Sequence, residues 1–208
     1  MCSSGLAWDW ANSYEQIDSY DADTGLIRTR SPHGLYGFRA GQRFYFLNIL
    51  EELDRAGEFY VDAARGDLYF WPPEEIGPGD VAVSVLDEPL IRVEGARHVE
   101  VSGMVLECGR GNGVEIRGGA GVTIAGCAIR LMGNHAVVVD GGAGHRVRGC
   151  EISRTGDGGI HLRGGDRRTL TAGGHQADNN HIHGMGQGSR RYQPAVTVSG
   201  VGQRVTHN

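Results

Sequence analysis

The chain has 208 residues, enough for one or two domains with cores of their own. Its 35 glycines against 6 prolines lack the three-residue period of collagen and point instead to many tight turns between short strands. A net charge of −5, with arginine as the sole basic residue type apart from histidine and no basic stripe, argues against a nucleic-acid partner, and no apolar run reaches the length of a membrane span.

The opening MCSSG carries no apolar segment of the kind a secretory leader needs. The four cysteines, Cys2, Cys108, Cys127 and Cys150, show no CxxC spacing, which argues against a zinc ribbon or a thioredoxin-like motif. Residues 1–80 do not repeat. They hold short aromatic segments that read as strands, RFYFLN (43–48), GEFYV (57–61) and DLYFWPP (67–73), and Pro72-Pro73 with GPG at 77–79 punctuates the exit. We expect a small β-rich subdomain over 1–80, joined to a second domain over 81–208.

From residue 90 the chain repeats. LIRVEG (90–95), GVEIRG (113–118), AVVVDG (136–141) and GIHLRG (159–164) begin 23 residues apart, and AVTVSG (195–200) follows after 36. Each copy alternates apolar and polar residues, the mark of a half-buried strand. Stacking the copies aligns Ile91, Val114, Val137, Ile160 and Val196 in one apolar column, and Val93, Ile116, Val139, Leu162 and Val198 in the next. Gly95, Gly118, Gly141, Gly164 and Gly200 form a third, suited to positive φ or a close backbone approach. A second set aligns as well: Val101, Ile124, Val147, Ala177, Val205; Met104, Cys127, Cys150, Asn180, Asn208; and Leu106, Ile129, Ile152, Ile182. A leucine-rich repeat would need its leucine pattern and often a helix per unit, and neither is present. The fold class predicted is all-β, a right-handed parallel β-helix with about 23 residues per coil. Coils about 4.8 Å apart make Cys127 and Cys150 neighbours, poorly aimed for a disulfide, and allow Asn180 and Asn208 to begin an amide ladder. The chain stops at Asn208 in mid-coil without a visible cap, so a fragment of a longer protein is expected.

Three stretches, FYFLNILEELDRAGEFYVDAARGDLYFWPP (44–73), GDGGIHLRGGDRRTL (156–170) and YQPAVTVSGVGQRVTHN (192–208), resemble bacterial β-helix glycoside hydrolases of the α-L-fucosidase/xylanase type, within the pectate-lyase-like superfamily. The resemblance covers most of residues 36–208. It implies a carbohydrate-active enzyme, secreted or periplasmic, acting on a poly- or oligosaccharide. It also implies that the catalytic aspartates lie in later coils, beyond the equivalent of Asn208, so no catalytic residue carries over.

Two insertions account for the long step. One, 166–174, follows the strand at 159–163, and the other, 185–194, precedes the strand that stacks on it. Both rise beside one sheet and are placed to wall a groove along it. Its floor would be the outward columns Arg92, Glu115, Val138, His161, Thr197 and Glu94, Arg117, Asp140, Arg163, Ser199. The second column alternates in charge and reads either as a salt-bridge ladder or as a polar floor for sugar hydroxyls. Candidate substrate-binding residues are Asp140, His161, Arg163, Asp166, Arg167, Arg191 and Tyr192, since arginine forks and an aromatic face suit a sugar or a uronate. Asp166 also suits a turn cap. Glycosidases need carboxyl groups about 5–5.5 Å or 6.5–9.5 Å apart. The weak catalytic candidates Asp157 and Asp166 flank a strand that spans about 16 Å, and Asp140 between two arginines should have a low pKa. His181 and His183 share one strand face, but no acidic or Cys ligand at suitable spacing joins them, so no metal and no cofactor are expected. A polysaccharide lyase and a non-catalytic binding or adhesive solenoid remain alternatives to a glycoside hydrolase. A monomer is expected.

Overall fold

The structure, a computed structural model, describes residues 2–8 and 10–208, and the side chains of residue 10 and residues 13–208. The side chain of Cys2 lies outside the described residues. The chain divides into two compact units, Met1–Val81 and Ala82–Asn208.

The first unit holds β1 (Cys2–Trp8), β2 (Ala11–Glu15), β3 (Ile17–Asp21), β4 (Leu26–Thr29), β5 (Tyr45–Phe46), β6 (Phe59–Asp62) and β7 (Asp67–Phe70), with a 3-10 turn at Leu50–Glu52. All pairings are antiparallel: β2–β1–β5, β3–β4 and β6–β7. The aromatic segments expected to be strands contain β5 and β7 and all of β6 but its last residue. Side chains shape the turns: Asp62 Oδ1 accepts the N–H of Ala64 and of Arg65, and the Asn48 amide brackets Val61 through both its polar atoms. Tyr60 and Tyr69, opposite each other in the β6–β7 pair, bring their rings to 5.9 Å. The β3–β4 hairpin was not singled out from the sequence because its strands are largely polar. It forms because Asp21 closes its turn, accepting the Asp23 N–H at 3.0 Å and the Thr24 hydroxyl at 2.7 Å.

The second unit is a right-handed parallel β-helix. Its first coil contributes β8 (Ile91–Glu94), β9 (Glu100–Ser102) and β10 (Val105–Gly109). The second gives β11 (Val114–Arg117), β12 (Thr123–Ala125) and β13 (Ala128–Met132), and the third β14 (Val137–Asp140), β15 (Arg146–Arg148) and β16 (Glu151–Ser153). β17 (Ile160–Gly164), β18 (Gln176–Asp178) and β19 (His181–His183) form the fourth, and β20 (Val196–Gly200) and β21 (Arg204–Thr206) the fifth. Strands of three to five residues are too short to stand alone, so each is held by its neighbours in three parallel sheets: β8–β11–β14–β17–β20, β9–β12–β15–β18–β21 and β10–β13–β16–β19.

The register is the one the 23-residue step dictates. Val114 pairs with Ile91 and Val137, Ile124 with Val101 and Val147, and Ile129 with Leu106 and Ile152. Alternation sends Val137 and Val139 into the core and leaves Val138 half-buried on the outer face. The inner columns close an apolar core in which each buried Val, Leu or Ile contributes about 1.5–3 kcal/mol. Gly95, Gly118 and Gly141 sit at φ +61, +61 and +72 degrees, as a turn requires. Gly164 answers the other need, since a Cβ there would run into the His175 ring. Backbone position overrides residue type at Cys108, Leu131 and Arg154, which stack 23 apart and all take φ of +56 to +58 degrees.

One column changes chemistry as it climbs. The thiols of Cys127 and Cys150 donate weakly to the carbonyls of Val101 and Ile124, at 3.7 and 3.8 Å. One coil later the amides of Asn180 and Asn208 make the equivalent bonds to Val147 and Ala177, at 3.0 Å each. Both thiols are buried and unbridged, and burial pushes the Cys150 thiol up. A thiol reagent is therefore expected to label Cys127 and Cys150 slowly in the native protein and both of them promptly in denaturant, as read by peptide mass mapping. Sulfurs that stay unreactive in denaturant without reductant would mean a disulfide.

Candidate functional site

The first sheet presents its outward columns as the sequence ordered them. β14 and β17 put Asp140 beside Arg163, and Asp140 accepts from Nε at 2.8 Å and from a terminal nitrogen at 2.5 Å in a bidentate pair. That bond, together with the positive charge of Arg163 and Arg117, holds Asp140 below the usual carboxylate range. Arg117 reaches Glu94 at 3.8 Å on one side and Glu115 at 2.8 Å within its own strand. The column thus holds two ion pairs, Glu94 with Arg117 and Asp140 with Arg163, and both arginines remain exposed.

At the entry to the same sheet the structure assembles a cluster that the sequence reading found only in part. Asp157 lies in the turn before β17, and its carboxylate stands 3.9 Å from His135 Nδ1 and accepts the Gln193 amide at 3.4 Å. The His135 ring lies 6.0 Å from that of His161, the outward residue of β17. Burial pushes His135 below the usual imidazole range, against the pull of Asp157, and His161 pushes it further down. At neutral pH it is uncharged, a donor or acceptor rather than a cation. The backbone of His135 is anchored by Asn112, whose Oδ1 accepts its N–H at 3.0 Å and whose amide donates to Glu115 at 2.8 Å. A ligand hydroxyl placed between His135 and Asp157 would reach both, since their separation is within two hydrogen bonds of about 2.8 Å each.

The two insertions differ in what they do. The second packs on the turn that carries Asp157: the N–H groups of Gly186, Gln187 and Gly188 donate to the carbonyls of Asp157, Thr155 and Gly156. It carries Gln193 to the cluster, with Arg191 half-buried and Tyr192 exposed at its end. The first insertion closes on itself. Asp166 and Thr171 exchange backbone hydrogen bonds at 2.9 and 3.1 Å, and Asp166 Oδ1 accepts the Arg168 N–H at 2.8 Å. The carboxylate of Asp166 caps its own turn, and Arg167 is exposed beside it. Asp157 and Asp166 thus sit at opposite ends of β17.

His135 and Gln193 are the members missed from sequence. The signal for His135 was a column one residue upstream of the repeated segments, Asn112 and His135, spaced by the same 23 residues. Gln193 sits in a non-repeating insertion and had no such signal. One reading is corrected: His181 and His183 do have an acidic neighbour, because the parallel register brings Glu151 opposite His181. A concavity of about 570 Å³ elsewhere on the solenoid, along the turns at Gly103, Gly126, Gly149 and Asn179, offers Asp178 as its one carboxylate and no comparable convergence of groups.

A family model described as right handed beta helix region matches residues 89–196, just over half of the chain. No curated protein and no solved structure matches it.

Proposed function

We propose, from the premise that the chain belongs to the right-handed β-helix family, that it is the carbohydrate-binding part of a polysaccharide-processing enzyme of the glycoside hydrolase type, with sugar lying along the outward face of β8–β11–β14–β17–β20. The observation that carries the reading is the half-buried cluster of Asp157, His135, His161 and Gln193 at the entry to that face. Acceptors and uncharged donors gathered at the edge of a sheet suit a ligand made of hydroxyls. The Asp140–Arg163 pair further along adds a forked donor for hydroxyls or a uronate carboxylate. The same reading puts the protein in the secreted or periplasmic space, where polysaccharide is met.

Hydrolysis asks for more. It needs two carboxyl groups about 5–5.5 Å apart for retention or about 6.5–9.5 Å apart for inversion, one of them able to give up a proton. Among the described residues of this face, Asp140 is bound to Arg163, Glu115 to Asn112 and Arg117, Glu94 is paired with Arg117 and Arg92, and Asp166 is bound to its own loop. Asp157 is left as a single carboxylate beside an uncharged imidazole. This chain on its own is therefore expected to bind oligosaccharide without hydrolysing it.

Calorimetric titration with xylo-oligosaccharides and oligouronates tests the binding. Asp157→Ala and His161→Ala should each weaken it roughly tenfold, about one hydrogen bond's worth of free energy. No turnover is expected on aryl-glycosides or xylan. Failure to bind neutral or acidic oligosaccharides would overturn the reading, and turnover lost in Asp157→Asn would show that hydrolysis occurs within this chain.

A further inference from the structure

The geometry points to a binding site for one first-row divalent transition-metal ion of the zinc class on the third sheet, held by Glu151, His181 and His183. In β19 the alternation turns Ile182 toward the core and leaves His181 and His183 exposed on one outer face. The parallel pairing of β16 with β19 sets Glu151 opposite His181 and Ser153 opposite His183. The ladder bond from the His181 N–H to the Cys150 carbonyl, 2.9 Å, locks that rung. The two imidazole rings lie 4.7 Å apart, and the Glu151 carboxylate is 3.9 Å from His183 Nε2.

One ligand atom from each of the three residues falls within 4.8 Å of the others. An ion with ligands at about 2.0–2.2 Å brings such atoms to roughly 3–3.5 Å of one another, a closure that small side-chain rotations of exposed residues supply. No hydrogen bond between these three side chains and other described groups has to break first. Two imidazoles with one carboxylate select zinc, copper, nickel or cobalt over calcium and magnesium, which prefer oxygen alone. Three protein ligands leave the remaining positions to water. The ion would tie the third coil to the fourth, on a sheet other than the proposed sugar face, so the two proposals stand or fall separately.

The test is calorimetric titration of the full chain with zinc chloride. The expected result is one ion per chain, binding lost in His181→Ala and in His183→Ala, weakened at least tenfold in Glu151→Gln, unchanged in His207→Ala, and no saturable binding of calcium. Wild-type affinity in both His181→Ala and His183→Ala, or no zinc binding by the unaltered chain, overturns the proposal. Ring nitrogen NMR of the unaltered chain needs no variant to fold. Zinc should shift the His181 and His183 signals first, and shifts confined to other histidines would refute the site.

Discussion

Asn180→Ala is expected to lower the stability of the β-helix by about 1–3 kcal/mol, because it strips the buried Cys150 N–H of its partner. Asn180 is buried, its Oδ1 accepts the Cys150 N–H at 3.0 Å, and its amide donates to the Val147 carbonyl at 3.0 Å and to Asn208 Oδ1 at 2.7 Å. Alanine can offer none of these bonds. The same column shows what a weaker substitute does, since the thiols of Cys127 and Cys150 span 3.7 and 3.8 Å where the amides span 3.0 Å. Urea unfolding followed by circular dichroism should show a lower midpoint at unchanged slope. A loss below about 0.5 kcal/mol would mean that the ladder contributes nothing net, within the range of an ordinary surface change.

Acid should unfold the solenoid through two histidines. His145 and His175 are fully buried and stack one above the other, with ring centroids 5.0 Å apart and planes 11 degrees apart. Each Nδ1 accepts a backbone N–H, from Val122 at 3.1 Å and from His145 itself at 3.2 Å, so the proton of the neutral ring sits on Nε2. Each Nε2 edge faces a carbonyl, of Gly118 and of Arg163, without completing a bond. Burial pushes both rings below the usual imidazole range, and His145 lowers His175 further. Protonation would break the bond to the backbone and stack two cations. With the folded pKa depressed, the unfolded chain binds more protons, so this stability is complete above the unfolded value near 6.5 and is lost as pH falls below it. With both rings engaged the slope approaches about 2.7 kcal/mol per pH unit. Gln203 occupies the next rung, accepting the His175 N–H at 3.1 Å and donating to the Gly164 carbonyl at 2.7 Å. His145→Gln with His175→Gln should accordingly flatten the pH dependence below about 6.5. A double variant as acid-labile as the parent would place the cause elsewhere.

The solenoid could be read from sequence because its register is written twice, in the apolar columns headed by Ile91 and Val101 and in the glycines that end each strand. The same redundancy placed Cys127 over Cys150 and Asn180 over Asn208. What could not be read lay where the period lapses or where two distant coils meet. His135 was hidden because it precedes the apolar segment, and Gln193 because it belongs to an insertion with no counterpart in other coils. Glu151 was legible as a neighbour of His181, since the columns that set Cys150 over Asn180 and Ile152 over Ile182 place it there, but it is far from the histidines in sequence and carries no local ligand motif. The left-handed backbone at Leu131 and Arg154 gave no glycine signal, since stacked ladder bonds there impose the conformation on whatever residue arrives.

The most direct measurement of the functional account is NMR mapping of backbone amides while the chain is titrated with an oligosaccharide that it binds. The account expects the largest shifts at His135, Asp157, His161, Arg163 and Gln193, tracking along the β8–β11–β14–β17–β20 face and leaving β10–β13–β16–β19 unmoved. Shifts concentrated on the other two sheets, or none on the first, would contradict it.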